Sequence, residues 1–359
     1  MVSGEMTTGS HALAERIRAK AIELGFCKCG FTTMDDFPRV SEEAARRSYP
    51  EFFQQMIERG SHPCDLFPDG RSIIVLAYDF SRIRFPEQLL PHVARTYLSR
   101  TYLPLAGSPM RDRLDSLETF LKEEGIAYEP DRNALMMRPA ALRAGVITFG
   151  RNNFAYVDGV GSLITLYGYL VDAELPPDGP SPDCTCPPSC HACVDACPTG
   201  ALKAPFDLDL EKCILWDNAI CPRRGTGPEI PEERRVLIGM HVHGCDACQE
   251  ACPRNRAALD PARSTEADPV LERIAQEFSL ESLLHMPDGF YEEYVHPIMY
   301  NYVRDRWVFQ RNAAVAMGNS GDVRYIPHLK TELDNPEPTV RSHVEWAIGR
   351  LMQTQPEQT

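Results

Sequence analysis

One cysteine spacing occurs twice in this chain and constrains it more than any other feature. Cys190-x2-Cys193-x3-Cys197 is closed by Pro198, and Cys245-x2-Cys248-x3-Cys252 is closed by Pro253. Thiolates at this spacing on a tight loop wrap one iron–sulfur cubane, and in the bacterial ferredoxin run the cysteine before proline serves a second cluster. Two such runs predict two [4Fe–4S] clusters. Structural zinc is the competing use, but zinc sites favour paired Cys-x2-Cys knuckles without the trailing x3-Cys-Pro.

Two clusters need eight ligands, and the runs supply six. Cys186 or Cys184 completes the first set; Cys186 stands three residues before Cys190 rather than the usual two. Cys213 or Cys221 reaches back to complete the second. The crossed pattern assigns Cys186, Cys190, Cys193 and Cys252 to one cluster and Cys197, Cys213, Cys245 and Cys248 to the other. Cys27, Cys29 and Cys64 read as ordinary residues. His191 and His243 read as hydrogen-bond donors near a cluster rather than ligands.

Ten of the thirteen cysteines lie in residues 184–255, where apolar periodicity is weak. That segment has a poor core without a cofactor. Before it, residues 11–178 read as mixed α and β. His11–Leu24 has a helical pattern, RSIIVLAYDF (Arg71–Phe80) reads as a buried strand, Met110–Glu124 carries Leu114, Leu117 and Leu121 at helical spacing, and Ser162–Leu170 reads as a second strand. Pro176–Pro188 reads as a linker. From about Glu266 onward the chain looks helical. There FQRNAAVAMGNSGD and VRSHVEWAIGRL share an Ala-(Met/Ile)-Gly ending, a weak repeat of helix pairs of the kind found in helical solenoids. The expected fold class is α+β in three parts, at 1–178, 179–262 and 263–359.

The net charge of −14 argues against a generic polyanion binder, since phosphate contacts need Lys and Arg. No apolar run reaches the ~20 residues of a membrane helix, and the N-terminal segment has no apolar signal core. The expected compartment is the cytoplasm, where this many cysteines point to metal ligands rather than disulfides.

The segment CHACVDACPTGAL followed by LIG…HGCDACQEACPRNR resembles the double-cluster domain of epoxyqueuosine reductases, cobalamin-dependent enzymes of tRNA queuosine synthesis related to reductive dehalogenases. LFPDGRSIIVLAYDF, RPAALRAGVITFGRNNFAY and VDAELPPD resemble family segments upstream, and QRNAAVAMGNSGD and VRSHVEWAIGRL resemble its C-terminal HEAT-like repeat. The resemblance implies a nitroreductase-like N-terminal domain that binds base-off cobalamin, a ferredoxin-like cluster domain and a HEAT-like helical region. It implies that Co(I) delivers two electrons, opening an epoxide and expelling its oxygen as water, with electrons supplied by a flavodoxin- or ferredoxin-type donor. It places the proton donor at Asp131, seven residues before Arg138, although Pro130–Asn133 is also good turn chemistry. Tyr102 keeps the tyrosine of the family's Asp-Tyr-His. Gly145, Gly150, Arg151 and Asn152 match the glycine-rich signature near the corrin. No D-x-H-x-x-G motif is present, in keeping with a base-off cofactor.

Substrate-facing positions depart from the family pattern. Gly-Leu-Gly-Trp-x-Gly-Lys-Asn becomes Gly145-Val-Ile-Thr-Phe-Gly-Arg-Asn152, Val-Asp-Thr becomes Pro130-Asp131-Arg132, and the histidine after Tyr102 is replaced by Leu103. Residues 301–359 hold seven Lys/Arg and seven Asp/Glu, a neutral balance for a surface expected to grip RNA. Three readings follow: reduction of epoxyqueuosine in tRNA, a paralogous reductase or dehalogenase acting on a small organic substrate, and an electron-transfer protein or reductive activator of a corrinoid partner.

Overall fold

The run Arg71–Phe80 sits at the centre of a four-stranded antiparallel sheet, which explains why it shows no polar alternation. The computed structural model describes residues 8–47, 51–131, 134–204, 207–220, 229–299 and 305–353. It divides into two compact units: Met1–Phe80 with Leu103–Gly150 and Phe154–Pro188, and Ser81–Tyr102 with Arg151–Asn153 and Ser189–Thr359.

In the first unit the strands are β1 (Lys28–Thr33), β2 (Ser72–Asp79), β3 (Tyr128–Pro130) and β4 (Ile164–Val171), in the order β1-β2-β4-β3. All eight residues of β2 are buried. Ile73, Val75 and Ala77 on one face pack with Ala140, Ala141 and Ala144, while Ile74 and Leu76 point the other way and are also fully enclosed. Helices of this unit include α1 (Thr8–Glu23), α2 (Glu51–Gly60), α3 (Pro109–Glu123) and α4 (Met137–Arg143). Helix α3 starts at Ser108, whose hydroxyl accepts the Arg111 N–H, with Pro109 at its first position. Its Leu114, Leu117 and Leu121 are the buried stripe that the spacing predicts. The short strand β3 matters for function: Tyr128 pairs with Val171 and Glu129 with Leu170, and the Asp131 N–H continues the ladder to the Gly168 carbonyl at 2.8 Å.

The second unit contains the cysteine runs and the C-terminal helices together. Helices α5 (Glu232–Ile238), α6 (Arg306–Ser320) and α7 (Pro338–Gln353) frame it. Helix α6 is enclosed nearly all round, with ten buried residues that include Arg311 and Asn312. It packs against α7 so closely that a Cβ added to Gly318 would stand 2.9 Å from the Ala347 Cα. Residues 81–102, grouped with the N-terminal segment by the sequence, belong to this second unit. Ile83 and Arg84 pair with Glu266 and Ala267, and Val93 bridges to His243. Non-local pairing of this kind leaves no periodic trace.

Candidate functional site

The two cysteine runs fold into matching local structures. In each, the middle cysteine sits in a single helical turn, Ala192–Asp195 around Cys193 and Ala247–Glu250 around Cys248. The residue after the first cysteine, His191 or Asp246, forms the N-cap of that turn. The two turns pack against each other. Just before Cys245, Gly244 adopts φ +78, and a Cβ there would come within 2.6 Å of the Ala94 Cβ and 2.8 Å of the Tyr97 ring. Only glycine lets the chain pass there.

Cys197, Cys213 and Cys245 lie near enough to act on one another's charge, and Cys248 is near Cys245, Cys213 and Cys193. Burial pushes Cys245 up to about 12, opposed by the Ala247 N–H and reinforced by Cys213 and Cys197. Burial likewise raises Cys248, with Cys245, Cys213 and Cys193 adding to the shift. Cys213 is raised by burial against the Leu215 N–H, with Cys197 contributing. Burial acts on Cys197 too, but the Thr199 hydroxyl and the N–H groups of Leu202, Thr199 and Ala201 outweigh it and hold this thiol low. Crowded, half-buried thiols resist ionising beside one another unless a cation binds them, and the backbone N–H groups are ready donors to bound thiolates. This soft donor set fits an iron–sulfur group. These neighbours come from both expected sets: Cys197, Cys213, Cys245 and Cys248 from the second and Cys193 from the first. Among the described residues no three Cys, His, Asp or Glu side chains converge on a single-ion point.

Cys184 and Cys186 fall in the first unit. There Cys184 bridges to Phe149, and its Sγ accepts the Cys186 N–H at 3.4 Å. Cys221, the alternative to Cys213, lies outside the described residues.

Groups that the sequence did not reveal brace the cluster loops. Asp246 is buried; its carboxylate accepts the Arg95 N–H at 2.8 Å and the Arg95 guanidinium at 3.0 Å. Burial raises its pKa, and Arg95 works against that rise. The Asn218 side chain and the Gly244 backbone exchange two hydrogen bonds, at 3.0 and 3.2 Å. From α6, Asn312 Nδ2 donates to the carbonyls of Asn218 and Val242, each at 2.8 Å, and Arg311 Nη2 donates to the Asp217 carbonyl. The polar triplet Gln310-Arg311-Asn312 inside an otherwise apolar helix was the available signal.

The residues expected at the catalytic end are placed as follows. Asp131 Oδ1 accepts the N–H groups of Ala134 (2.9 Å) and Leu135 (3.0 Å), and Asp131 lines a cavity of about 580 Å³ within the first unit. Arg59, Asp65, Leu66, Glu129 and Leu170 share that cavity. Arg132 and Asn133 lie outside the described residues. Gly145 has φ +67 and donates to the Leu142 carbonyl, so it closes α4 in the manner of a helix-capping glycine. The Gly150 N–H bonds the Phe154 carbonyl. In the second unit Arg151 is half-buried, and buried Asn152 donates to the Cys248 carbonyl at 3.1 Å. Tyr102, also in the second unit, is 39% exposed and meets the Tyr97 ring edge-on at 6.2 Å.

Residues 185–255 match the 4Fe-4S double cluster binding domain family, a span that includes Cys186 and leaves out Cys184. The epoxyqueuosine reductase of Bacillus subtilis is 30% identical over 365 residues, covering 95% of this chain and 88% of that one, and the Escherichia coli enzyme is 28% identical over 95% and 90%. A solved epoxyqueuosine reductase in complex with an epoxyqueuosine-modified tRNA-Tyr stem loop superposes with a TM-score of 0.75 at 27% identity, covering 95% of this chain and 90% of that chain. The Bacillus subtilis enzyme, solved with an aspartate-bearing catalytic loop swung out of its active site, gives 0.75 at 29% identity with the same coverage. Among the described residues no helix is long and apolar enough to cross a membrane. A likeness that runs through nearly the whole chain, together with a double-cluster domain on the doubled cysteine runs, shows that the chain belongs to the epoxyqueuosine reductase family, as an oxidoreductase that carries two [4Fe–4S] clusters.

Proposed function

We propose that this protein reduces epoxyqueuosine in tRNA to the alkene. Both C–O bonds of the epoxide break, a C=C bond forms, and the oxygen leaves as water with the uptake of two electrons and two protons. Asp131 carries this reading. The Asp131 carboxyl is held through Oδ1 by two backbone N–H groups on the wall of a ligand-sized cavity, and in its protonated form it would hand a proton to the departing oxygen and be left as the carboxylate. Support comes from the full-length likeness to epoxyqueuosine reductases, one of them solved with its modified tRNA stem loop.

Base-off cobalamin would supply the strongly reducing step when bound. The residues proposed to border it are Gly145, Gly150, Arg151 and Asn152. Of these, Gly145 closes a helix and the Asn152 amide holds Cys248, so direct contact falls mainly to Gly150 and Arg151. Tyr102 is proposed to offer its phenol to the substrate. In the proposed ligand set, Cys186 joins Cys190, Cys193 and Cys252, and Cys197, Cys213, Cys245 and Cys248 hold the other cluster. In the proposed division of labour, residues 1–178 hold cobalamin and substrate, 179–262 relay electrons from a flavodoxin- or ferredoxin-type donor, and 263–359 form a HEAT-like helical region.

Anaerobic reconstitution tests this directly. The protein should bind about eight irons, take up cobalamin with a corrin absorption spectrum, and convert epoxyqueuosine in a tRNA stem loop. Asp131→Asn should keep iron and corrin while losing most turnover. Full turnover by that variant would refute the acid role, and failure to take up corrin would overturn the reductase mechanism. Cys213→Ala and Cys186→Ala should each lose iron while Cys221→Ala and Cys184→Ala keep it; the reverse result would reassign the ligands.

A further inference from the structure

The cavity beside Asp131 has a composition that the proposed reaction alone does not require. Its floor is the edge of the sheet. Glu129 and Asp131 are two residues apart along β3 and its continuation, so both project from the same face. Leu170, the cross-strand partner of Glu129, is itself part of the buried core. Across the cavity, α2 contributes Met56 and the guanidinium of Arg59. Asp65 and Leu66 complete that side. Among the lining residues one cation therefore faces three carboxylates, and the remaining surface is mostly apolar. The Glu129 and Arg59 side chains make no hydrogen bond or ion pair with described residues, unlike most charged groups of the first unit.

Such a chamber disfavours an anion. It suits a flat, uncharged heterocycle that carries N–H donors on one edge and acceptors on another. A carboxylate accepts from amino and ring N–H groups, and a guanidinium donates in a fork to ring nitrogen and carbonyl acceptors. Apolar residues such as Met56, Leu66 and Leu170 provide contact with the ring faces. The volume of about 580 Å³ falls in the range of small-ligand pockets, and a nucleobase must leave its stack to enter a pocket beside a partly buried acid.

We propose that Glu129 and Arg59 are specificity-determining residues that read opposite edges of an extruded purine-like base, holding it beside Asp131. The inference rests on the reading of the substrate as a modified tRNA nucleoside and adds the residues that recognise its base.

The test uses the full-length, cofactor-loaded protein and 2-aminopurine riboside, a fluorescent base with one amino donor edge. Wild type should quench it saturably. Glu129→Gln and Arg59→Ala should each weaken binding about tenfold or more, and Glu58→Gln, one residue outside the cavity lining, should bind like wild type. Purine riboside, which lacks the amino group, should bind weakly and equally to wild type and Glu129→Gln. Absence of saturable quenching by wild type, or equal affinity in Glu129→Gln, overturns the proposal. In turnover of the tRNA stem loop, Glu129→Gln should raise KM with kcat nearly kept, whereas Asp131→Asn should lower kcat. If the base binds with dependence on Glu129 but the epoxide in tRNA is untouched, the substrate reading fails and the base pocket stands. If the epoxide is reduced with an unchanged KM in Glu129→Gln, the pocket assignment fails and the substrate reading stands.

Discussion

Asn152 Nδ2 donates to the backbone carbonyl of Cys248 at 3.1 Å, and the Asn152 side chain is almost fully enclosed. A residue expected to touch a cofactor is therefore also a brace for a cluster cysteine. Asn152→Ala leaves that carbonyl unsatisfied, which costs about 1–2 kcal/mol at a buried site. The expected outcome is a lower midpoint in thermal unfolding and faster loss of one cluster under chelation, followed by visible absorbance of the iron–sulfur chromophore. Asn152→Asp, which keeps the size but not the donor, should behave like the alanine variant.

A larger effect is expected at Asn312. Its amide satisfies two carbonyls, those of Asn218 and Val242, from inside a largely buried helix. Asn312→Leu keeps the branched heavy-atom outline and removes both donations. The expected destabilisation is about 2–4 kcal/mol, read as a shift of the urea midpoint. The ligands themselves are untouched, so iron content at low temperature should be unchanged.

His343 supplies a pH signature. Burial pushes its pKa down to about 3, and the nearby Arg311 and Arg235 add to the fall against the Thr339 carbonyl. Its hydrogen bonds match a neutral ring: Nδ1 donates to the Thr339 carbonyl at 2.7 Å and Nε2 accepts the Ile230 N–H at 3.2 Å. Because the folded pKa lies below the unfolded value of 6.5, the unfolded chain takes the proton first. This contribution to stability is fully present above pH 6.5 and is lost as pH falls toward 3. The slope is about 1.4 kcal/mol per pH unit. Between pH 7 and pH 5 wild type should lose about 2 kcal/mol more than His343→Gln, measured by denaturant unfolding at each pH.

Gly318 and Gly349 should respond in opposite ways to the same change. At Gly318 an added Cβ would meet the Trp346 ring at 2.8 Å and Ala347 at 2.9 Å, whereas at Gly349 nothing lies within 4 Å. Gly318→Ala should destabilise by about 1–3 kcal/mol through overpacking. Gly349→Ala should stabilise by about 0.5–1 kcal/mol, because alanine is the better helix former. Thermal melts of the two variants side by side decide the matter; a shared sign would contradict the packing described.

Local patterns carried the elements that could be read from the sequence, and only those. The cysteine runs, the stripe of Leu114, Leu117 and Leu121 and the apolar run of β2 are each written within a dozen or so neighbouring residues. What lay hidden is non-local. Arg95 meets Asp246 because a distant segment folds beside the second run, and a loop of that kind has no period. Asn218 and Asn312 look like ordinary polar residues until the carbonyls they satisfy are brought to them. Glu129 reaches the cavity wall through the register of a three-residue strand, which is too short to announce itself. Gly145 shows the opposite case: a residue matching a family signature has its φ and hydrogen bond explained by the end of a helix.

The grip of Asn312 and Arg311 on Asp217, Asn218 and Val242 has a consequence for how fast charge can move. These carbonyls belong to the chain that leads away from Cys213 and into Cys245, and they are fixed from behind by a helix that contributes no thiolate. Peptide dipoles that cannot swing do not follow an electron as it arrives and departs, so little energy is lost to rearrangement at each hop. In the proposed relay, helix α6 would then be the damper: it supplies no thiolate, yet its stiffness would keep each hop quick.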